Sequence, residues 1–309
     1  MIIACRNSKR GHEAADQLNN DKRVKDNGKV IYKQLDLASF ESIRKFADEI
    51  NNEEEAIDIL VNNAGVMFAK KGQRTNDGFE MHFGVNHLGP FLLTLLLIDK
   101  LKQSSSIARI INVSSVVHFL GLIRFDDINM ENRYNCLKAY AQSKLANILF
   151  TRELAKRLNG TNIRAYSLHP GVVDTNLGHG DSLYNIMRRL TIVWYIPPEL
   201  GCQTILYCAL DDKLANQSGH YYANCTKFQN KNFAMSNYIP NRAVDDVSAE
   251  KLWNLSCHLV KLENKYNIQP AKPVNEQSLE YSIPKITKIH KRKIAKVIRR
   301  IQGNSKTIL

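Results

Sequence analysis

The sequence predicts a doubly wound α/β protein, a parallel sheet with helices on both faces. Three observations carry that prediction. Short apolar runs alternate with segments of helical periodicity through most of the chain. The run from Ile57 to Val61 is short and mainly apolar, as in a parallel sheet covered on both sides. The residues with the most chemistry follow strand ends, at Asn62-Asn63-Ala64-Gly65, Ser114-Ser115 and His169-Pro170-Gly171, the edge where such sheets bind ligands.

In chain order, Met1 to Cys5 reads as a buried strand and Arg10 to Leu18 as a polar helix. Val30 to Leu35 is the next strand and ends at Asp36-Leu37. Ser39 then caps a helix whose apolar positions Phe40, Ile43, Phe46, Ala47 and Ile50 recur at helical spacing. Ile57 to Val61 is the third strand. A long helical stretch runs from Gly78 to Leu101 and contains Asn86, and Arg109 to Val113 is the strand that delivers the serine pair. A helix bearing Tyr140 and Lys144 stops before Gly160. The strand Ile163 to Leu168 follows, then an irregular apolar segment to Pro198. A helix from Glu199 to Leu210, a short strand at His220 to Ala223 and a helix from Asp245 to Leu262 complete the pattern.

With 309 residues, 44% of them hydrophobic and 24% charged, the chain has the composition of an ordinary globular protein with a sizeable core. Six scattered cysteines form no C-x-x-C pair and no histidine stands at ligand spacing, so no metal centre is expected. The apolar run Phe91 to Ile98 is far shorter than the roughly 20 residues of a membrane span. The chain as written carries no export signal. These features point to an intracellular protein, and its expected place is the cytoplasm or the periphery of the endoplasmic reticulum membrane. The net charge of +13 is concentrated at one end, with nine Lys/Arg and no acid between Lys285 and Lys306. The body is only mildly basic and is not read as a nucleic-acid binder.

Tyr140 and Lys144 stand about one turn apart on one helix face, so their heads can converge on one site. A tyrosine near its usual value of about 10 exchanges protons poorly at neutral pH, and a nearby ammonium lowers that value. The spacing by itself also suits a half-buried helix with a surface lysine.

Together with Ala4-Cys5-Arg6-Asn7, Asp36-Leu37, Asn62-Asn63-Ala64-Gly65, Val85-Asn86-His87-Leu88-Gly89, Asn112-Val113-Ser114-Ser115, Ser143-Lys144-Leu145-Ala146-Asn147 and His169-Pro170-Gly171-Val172-Val173, this pair resembles the classical short-chain dehydrogenase/reductases over residues 1–266. Within them the chain is most similar to the retinol dehydrogenase group and the related WW-domain oxidoreductase. The resemblance implies a Rossmann-type fold and hydride transfer between NADP(H) and an apolar alcohol or carbonyl compound, a retinoid, steroid or lipid aldehyde. It assigns Tyr140 as acid/base, Lys144 as the group that lowers its pKa and holds the nicotinamide ribose, Ser115 as the donor to the substrate oxygen with Ser114 as the alternative, and Asn86 as the holder of a water. His169 is read as a packing residue. Asp36, Leu37, Asn62, Ala64 and Gly65 would line the adenosine side of the cofactor, and Pro170, Gly171, Val172 and Thr175 the nicotinamide side. Arg6 follows the strand where NAD enzymes carry an acid, which favours NADP over NAD, unless the arginine only solvates the strand end.

Two departures qualify the match. The family's first strand and Gly-rich diphosphate loop have no counterpart in this sequence, so the chain reads as an N-terminally incomplete member expected to bind NADPH poorly. The alternative function is then an inactive member acting through binding. Residues 267–309 form a basic extension, partly helical or disordered, whose apolar face from Ile286 to Ile301 is compatible with an anionic membrane surface. Phe119, Leu122 and Ile123 with Leu183, Ile186, Met187, Leu190, Ile192, Val193, Trp194 and Tyr195 would form an apolar wall at the site, or else simply pack a flap.

Overall fold

A computed structural model of the chain describes residues 1–25, 28–173, 196–229 and 239–269. Strand β1 (Ile2–Cys5) leads through a turn capped by Asn7, whose side chain accepts Arg10 N at 2.9 Å, into α1 (Ser8–Asn20). Strand β2 (Ile31–Gln34) pairs parallel with β1 and is followed by α2 (Phe40–Glu53), capped by Ser39 as expected. Strand β3 (Ile59–Asn62) comes next.

The helical stretch that follows runs unbroken from Met81 to Leu96 but changes type along its length. A short turn at Met81–Phe83 passes into a π-helical turn at Gly84–Leu88, and only then into α3 (Gly89–Leu96). Strand β4 (Ala108–Val113) delivers Ser114 and Ser115, and the latter caps a 3-10 turn at Val116–Leu120. Helix α4 (Cys136–Arg157) and β5 (Ile163–His169) follow. Next are α5 (Gln203–Leu210), β6 (His220–Ala223), the two-residue β7 (Thr226–Lys227) and α6 (Asp246–Leu259).

Strands β3, β4, β5 and β6 form a parallel sheet to which β7 adds antiparallel, while β1 and β2 form a separate two-stranded sheet. Both sheets pack on one apolar cluster, to which Ile2, Ala4 and Leu60 contribute. Between them the backbone ladder is broken. Met1 O accepts Ile31 N and Cys5 O accepts Leu35 N, so the intervening Ile2 and Ala4 turn their polar backbone groups to the opposite edge of β1. Asp58 O likewise accepts Arg109 N, which leaves Ile59 and Val61 facing outward from β3. Among the described residues no strand lies between these edges, and Val61 is 38% exposed although it sits in a parallel strand. The break falls where the resemblance places the family's first strand, which has no counterpart in this sequence.

Helix α4 is the structural centre. Every residue from Ala139 to Thr151 is buried, with sheet strands, α6, the π turn and the 3-10 turn packed around it. Burial all round explains why its sequence lacks an amphipathic stripe. The polar residues enclosed there have partners. Gln142 joins Arg124 N and Ile128 O at 2.9 Å each, and Thr151 donates to Asn147 O at 2.7 Å while accepting from Asn112 Nδ2 at 2.9 Å. Gly121 is where the 3-10 turn meets α4 most closely, since a Cβ there would stand 2.6 Å from Ala141 O. Among the described residues no helix is long and apolar enough to cross a membrane. Residues 270–309 of the basic extension lie outside the described residues.

Candidate active site

The carboxyl ends of β4 and β5, the π turn and the middle of α4 converge on one place. Tyr140 is 6% exposed and Lys144 5%, one turn apart on α4. The Lys144 ammonium stands 5.6 Å from the Tyr140 ring centre and donates to Val113 O at 3.1 Å, an oxygen that Asn147 Nδ2 also reaches at 3.2 Å. Ser115 is half-buried at the end of β4, with its hydroxyl in hydrogen-bonding reach of the Tyr140 phenol. Ser114 is turned the other way, its hydroxyl donating to the Lys144 main-chain oxygen at 2.7 Å.

Asn86 lies in the π turn, 1% exposed. Its Oδ1 accepts Val66 N at 2.7 Å, and its Nδ2 donates to Val66 O and Ser143 Oγ, both at 3.0 Å. The side chain is therefore used to bind the segment after β3 to α4, and the π turn is what brings it there. Sequence periodicity does not reveal such a turn here, since every residue from Gly84 to Leu96 is buried and the segment has no apolar stripe to shift.

Burial pushes the Tyr140 phenol up to about 12, with the Ser115 hydrogen bond opposing it. Burial also lowers Lys144 to about 8. Burial is thus the largest influence on the phenol, and the ammonium is directed at Val113 O.

The remaining residues named from the sequence divide into three groups. Ala64 and Gly65 lie at the same edge, and a Cβ on Gly65 would stand 3.0 Å from Asn86 Oδ1 and 3.5 Å from Lys144 Nζ. Pro170, Gly171 and Val172 follow β5, with Gly171 at φ 95° and Val172 39% exposed. Asn62 is turned inward, its Nδ2 donating to Thr94 Oγ1 at 3.0 Å and Asn112 Oδ1 at 2.8 Å, so its side chain belongs to the interior network. Across the break, Arg6 is exposed after β1, while Asp36 closes the turn after β2 by accepting Ala38 N at 2.9 Å, with Leu37 partly buried beside it. Thr175 and the apolar segment from Leu183 to Tyr195 lie outside the described residues. Of the apolar wall, Leu122 is 59% exposed and Ile123 is buried.

Three histidines lie near the site, of which the sequence singled out only His169, as a packing residue. His118 Nδ1 donates to Ser115 O at 2.7 Å, and burial lowers its pKa to about 4. His169 is lowered to about 4 by burial, with His118 and Lys144 adding to the effect, and its Nδ1 has no hydrogen-bond partner among the described residues. His82 packs edge-on against Tyr140 at 5.9 Å between ring centres.

A parallel sheet that gathers Ser115, Tyr140 and Lys144 at its carboxyl edge defines the class of an α/β oxidoreductase. A family model described as short chain dehydrogenase matches residues 1–182. Retinol dehydrogenase 12 of Mus musculus is 44% identical over 263 residues, covering 85% of this chain and 79% of its own. Retinol dehydrogenase 14 of Homo sapiens is 43% identical over 276 residues, covering 85% and 79%. The chain belongs to the short-chain dehydrogenase family. Among solved structures, an uncharacterized protein from Mycobacterium paratuberculosis superposes with a TM-score of 0.62 at 32% identity, covering 84% of this chain and 83% of its own. A blue fluorescent protein from a metagenomic library, crystallised with NADPH, shares the fold at a TM-score of 0.54 and 21% identity, covering 72% of this chain and 85% of its own.

Proposed function

We propose that the chain interconverts an apolar alcohol, of the retinoid, steroid or lipid type, and its carbonyl form, with NADP(H) as the hydride partner. The observation that carries this reading is the convergence of Ser115, Tyr140, Lys144 and Asn86 at one edge of the sheet. The residues fit the nicotinamide ribose end of a dinucleotide. Bare backbone at Gly65 borders the ammonium, and Lys144 meets a single acceptor among the described residues, which leaves N–H donors for ribose hydroxyls. The nicotinamide, when bound, gives or takes the hydride.

The chain's own groups then handle the proton. In reduction the Tyr140 phenol donates to the carbonyl oxygen while Ser115 Oγ holds that oxygen where charge develops. In oxidation the same pair runs in reverse, with Tyr140 as base. Lys144, charged below about pH 8, favours the phenolate that reduction leaves behind. The exposed Arg6 supports NADP over NAD, because a guanidinium suits a 2′-phosphate. The names of the retinol dehydrogenase relatives support the apolar alcohol class.

The test is consumption of NADPH, and separately NADH, with all-trans-retinal, using Tyr140→Phe as the control. Turnover with NADPH that Tyr140→Phe lowers by about 100-fold or more supports the reading; turnover that the substitution leaves unchanged overturns it. The break between β1 and β3 favours a second reading, in which the chain acts through binding and turns over no substrate. The absence of turnover with an otherwise folded chain would select it.

A further inference from the structure

One buried histidine beside the site has no part in the proton transfer, yet its side chain is spent on a residue assigned to it. His118 is 0% exposed. Its backbone N–H and its Nδ1 both donate to the Ser115 carbonyl, at 3.1 and 2.7 Å. A carbonyl oxygen has two lone pairs, so one residue takes both and fixes the peptide plane that follows Ser115. Because that oxygen can only accept, Nδ1 carries the imidazole proton and Nε2 keeps a lone pair. Nε2 is buried with no hydrogen-bond partner among the described residues. An orphaned buried acceptor costs stability, and the backbone N–H alone would satisfy the carbonyl, so stability does not account for an imidazole here.

The ring is itself held in place. It stands edge-on to Tyr221 of β6 at 4.8 Å between centres and packs on Phe119 at 4.5 Å. The His118 main-chain oxygen accepts Gly121 N at 2.9 Å, and Gly121 is the point at which the 3-10 turn meets α4, against Ala141 and so one residue from Tyr140. The turn is thus pinned to β6 through His118 and to α4 through Gly121, with Ser115 at its start. Ser115 needs such support, because its hydroxyl has a local alternative in the Val117 N–H, a long bond at 3.4 Å. Fixing the carbonyl fixes the backbone from which the hydroxyl reaches the Tyr140 phenol.

We propose that His118 is a positioning residue, which through Nδ1 holds the Ser115 backbone so that the Ser115 hydroxyl stays on the Tyr140 phenol. Enclosed between the turn and β6, it acts only through Ser115. The proposal rests on the role given to Ser115 above, but the hydrogen bond it concerns is present in the chain without cofactor.

The test reads that bond directly. The full 309-residue chain is labelled with carbon-13 at the tyrosine Cζ, whose chemical shift responds to hydrogen bonding of the phenol, and the Tyr140 signal is identified by its loss in Tyr140→Phe. His118→Leu should move that signal to where Ser115→Ala moves it. His118→Asn, whose amide places a donor where Nδ1 stood, should leave it in place. If His118→Leu does not fold by circular dichroism, His118→Gln replaces it, since its amide stands where Nε2 stood. A Tyr140 signal unmoved in the Leu or Gln variant, unmoved in Ser115→Ala, or moved as far in His118→Asn overturns the proposal. Where the unmodified chain turns over substrate, His118→Leu should lower kcat about tenfold or more with KM for NADPH unchanged, and combining it with Ser115→Ala should be no slower than Ser115→Ala alone. Losses that multiply independently overturn the proposal. A chain that turns over nothing defeats the hydride-transfer reading, and the Tyr140 signal still decides for or against His118.

Discussion

Ser114 Oγ donates to the main-chain oxygen of Lys144 at 2.7 Å, tying the end of β4 to the middle of α4. Its neighbour Ser115 points the opposite way, as successive residues of an extended chain do, and is left at the half-exposed edge beside Tyr140. One serine thus positions the helix and the other faces the site.

The pair predicts a split. Ser115→Ala should lower kcat by roughly 10²–10³-fold with little change in melting temperature, because it removes a donor where charge develops. Ser114→Ala should cost about 1 kcal/mol of stability, the net worth of one buried hydrogen bond, with the smaller effect on kcat. Steady-state kinetics and thermal melts on both variants check this.

Tyr140→Phe should cost about 10²–10⁴-fold in kcat, the range of a general acid. Burial has lowered Lys144 to about 8, so the reductive rate should decline as pH rises through that value and the ammonium is lost. In Lys144→Met the decline should be absent and the rate low throughout. A pH profile of kcat on both proteins reads the difference.

Stability should be greatest near pH 6.5, with two limbs of different origin. Burial lowers His87 to about 3 and His118, His169 and His220 to about 4, against 6.5 in the unfolded chain. As pH falls below 6.5 the unfolded state binds protons that the folded state refuses, so stability is lost toward pH 4. His82 behaves in the opposite sense. Burial alone would lower it, but hydrogen bonds from Cys136 and Glu80 outweigh that and raise it to about 9. Its contribution is complete below 6.5 and is lost as pH rises toward 9. Lys144, lowered to about 8 from 10.5, opposes this loss above pH 8, so the window for His82 is 6.5 to 8. Urea melts across pH should show both limbs, with His82→Gln flattening only the alkaline one.

The break between β1 and β3 predicts weak cofactor affinity. Arg6 and Asp36 follow the strands of one sheet and the Tyr140–Lys144 pair lies on α4 against the other, with the edge groups of Ile2, Ala4, Ile59 and Val61 unpaired among the described residues. A dinucleotide spanning both halves must fix their relative position at a cost in entropy. Calorimetry on the 309-residue chain should give a Kd for NADPH weaker than about 100 μM, or about −5.5 kcal/mol. A low-micromolar value would count against this view of the break.

Much of the site was legible from the chain because it depends on spacing within single elements. Tyr140 and Lys144 share a helix face by periodicity, and Ser115 follows a strand. The inward turn of Asn62, the π turn at Asn86 and the grouping of Glu80, His82 and Cys136 were not legible. Each arises from packing between elements far apart in sequence, such as Asn62 against Thr94 and Asn112, or His82 against Cys136.

By itself the sequence determined the order of strands and helices, the parallel sheet, the candidate Ser–Tyr–Lys set and, among the described residues, the lack of a strand between the edges of β1 and β3. The element order and the sheet follow from apolar periodicity, a local property, while the set and the missing strand follow from the resemblance to the family's motifs. Only the tertiary structure decided which serine faces the site, that Lys144 turns to Val113 O, and that burial raises Tyr140 to about 12. The physical reason is that protonation and side-chain direction answer to the surrounding dielectric and the nearest polar partner. Folding brings those together from distant parts of the chain.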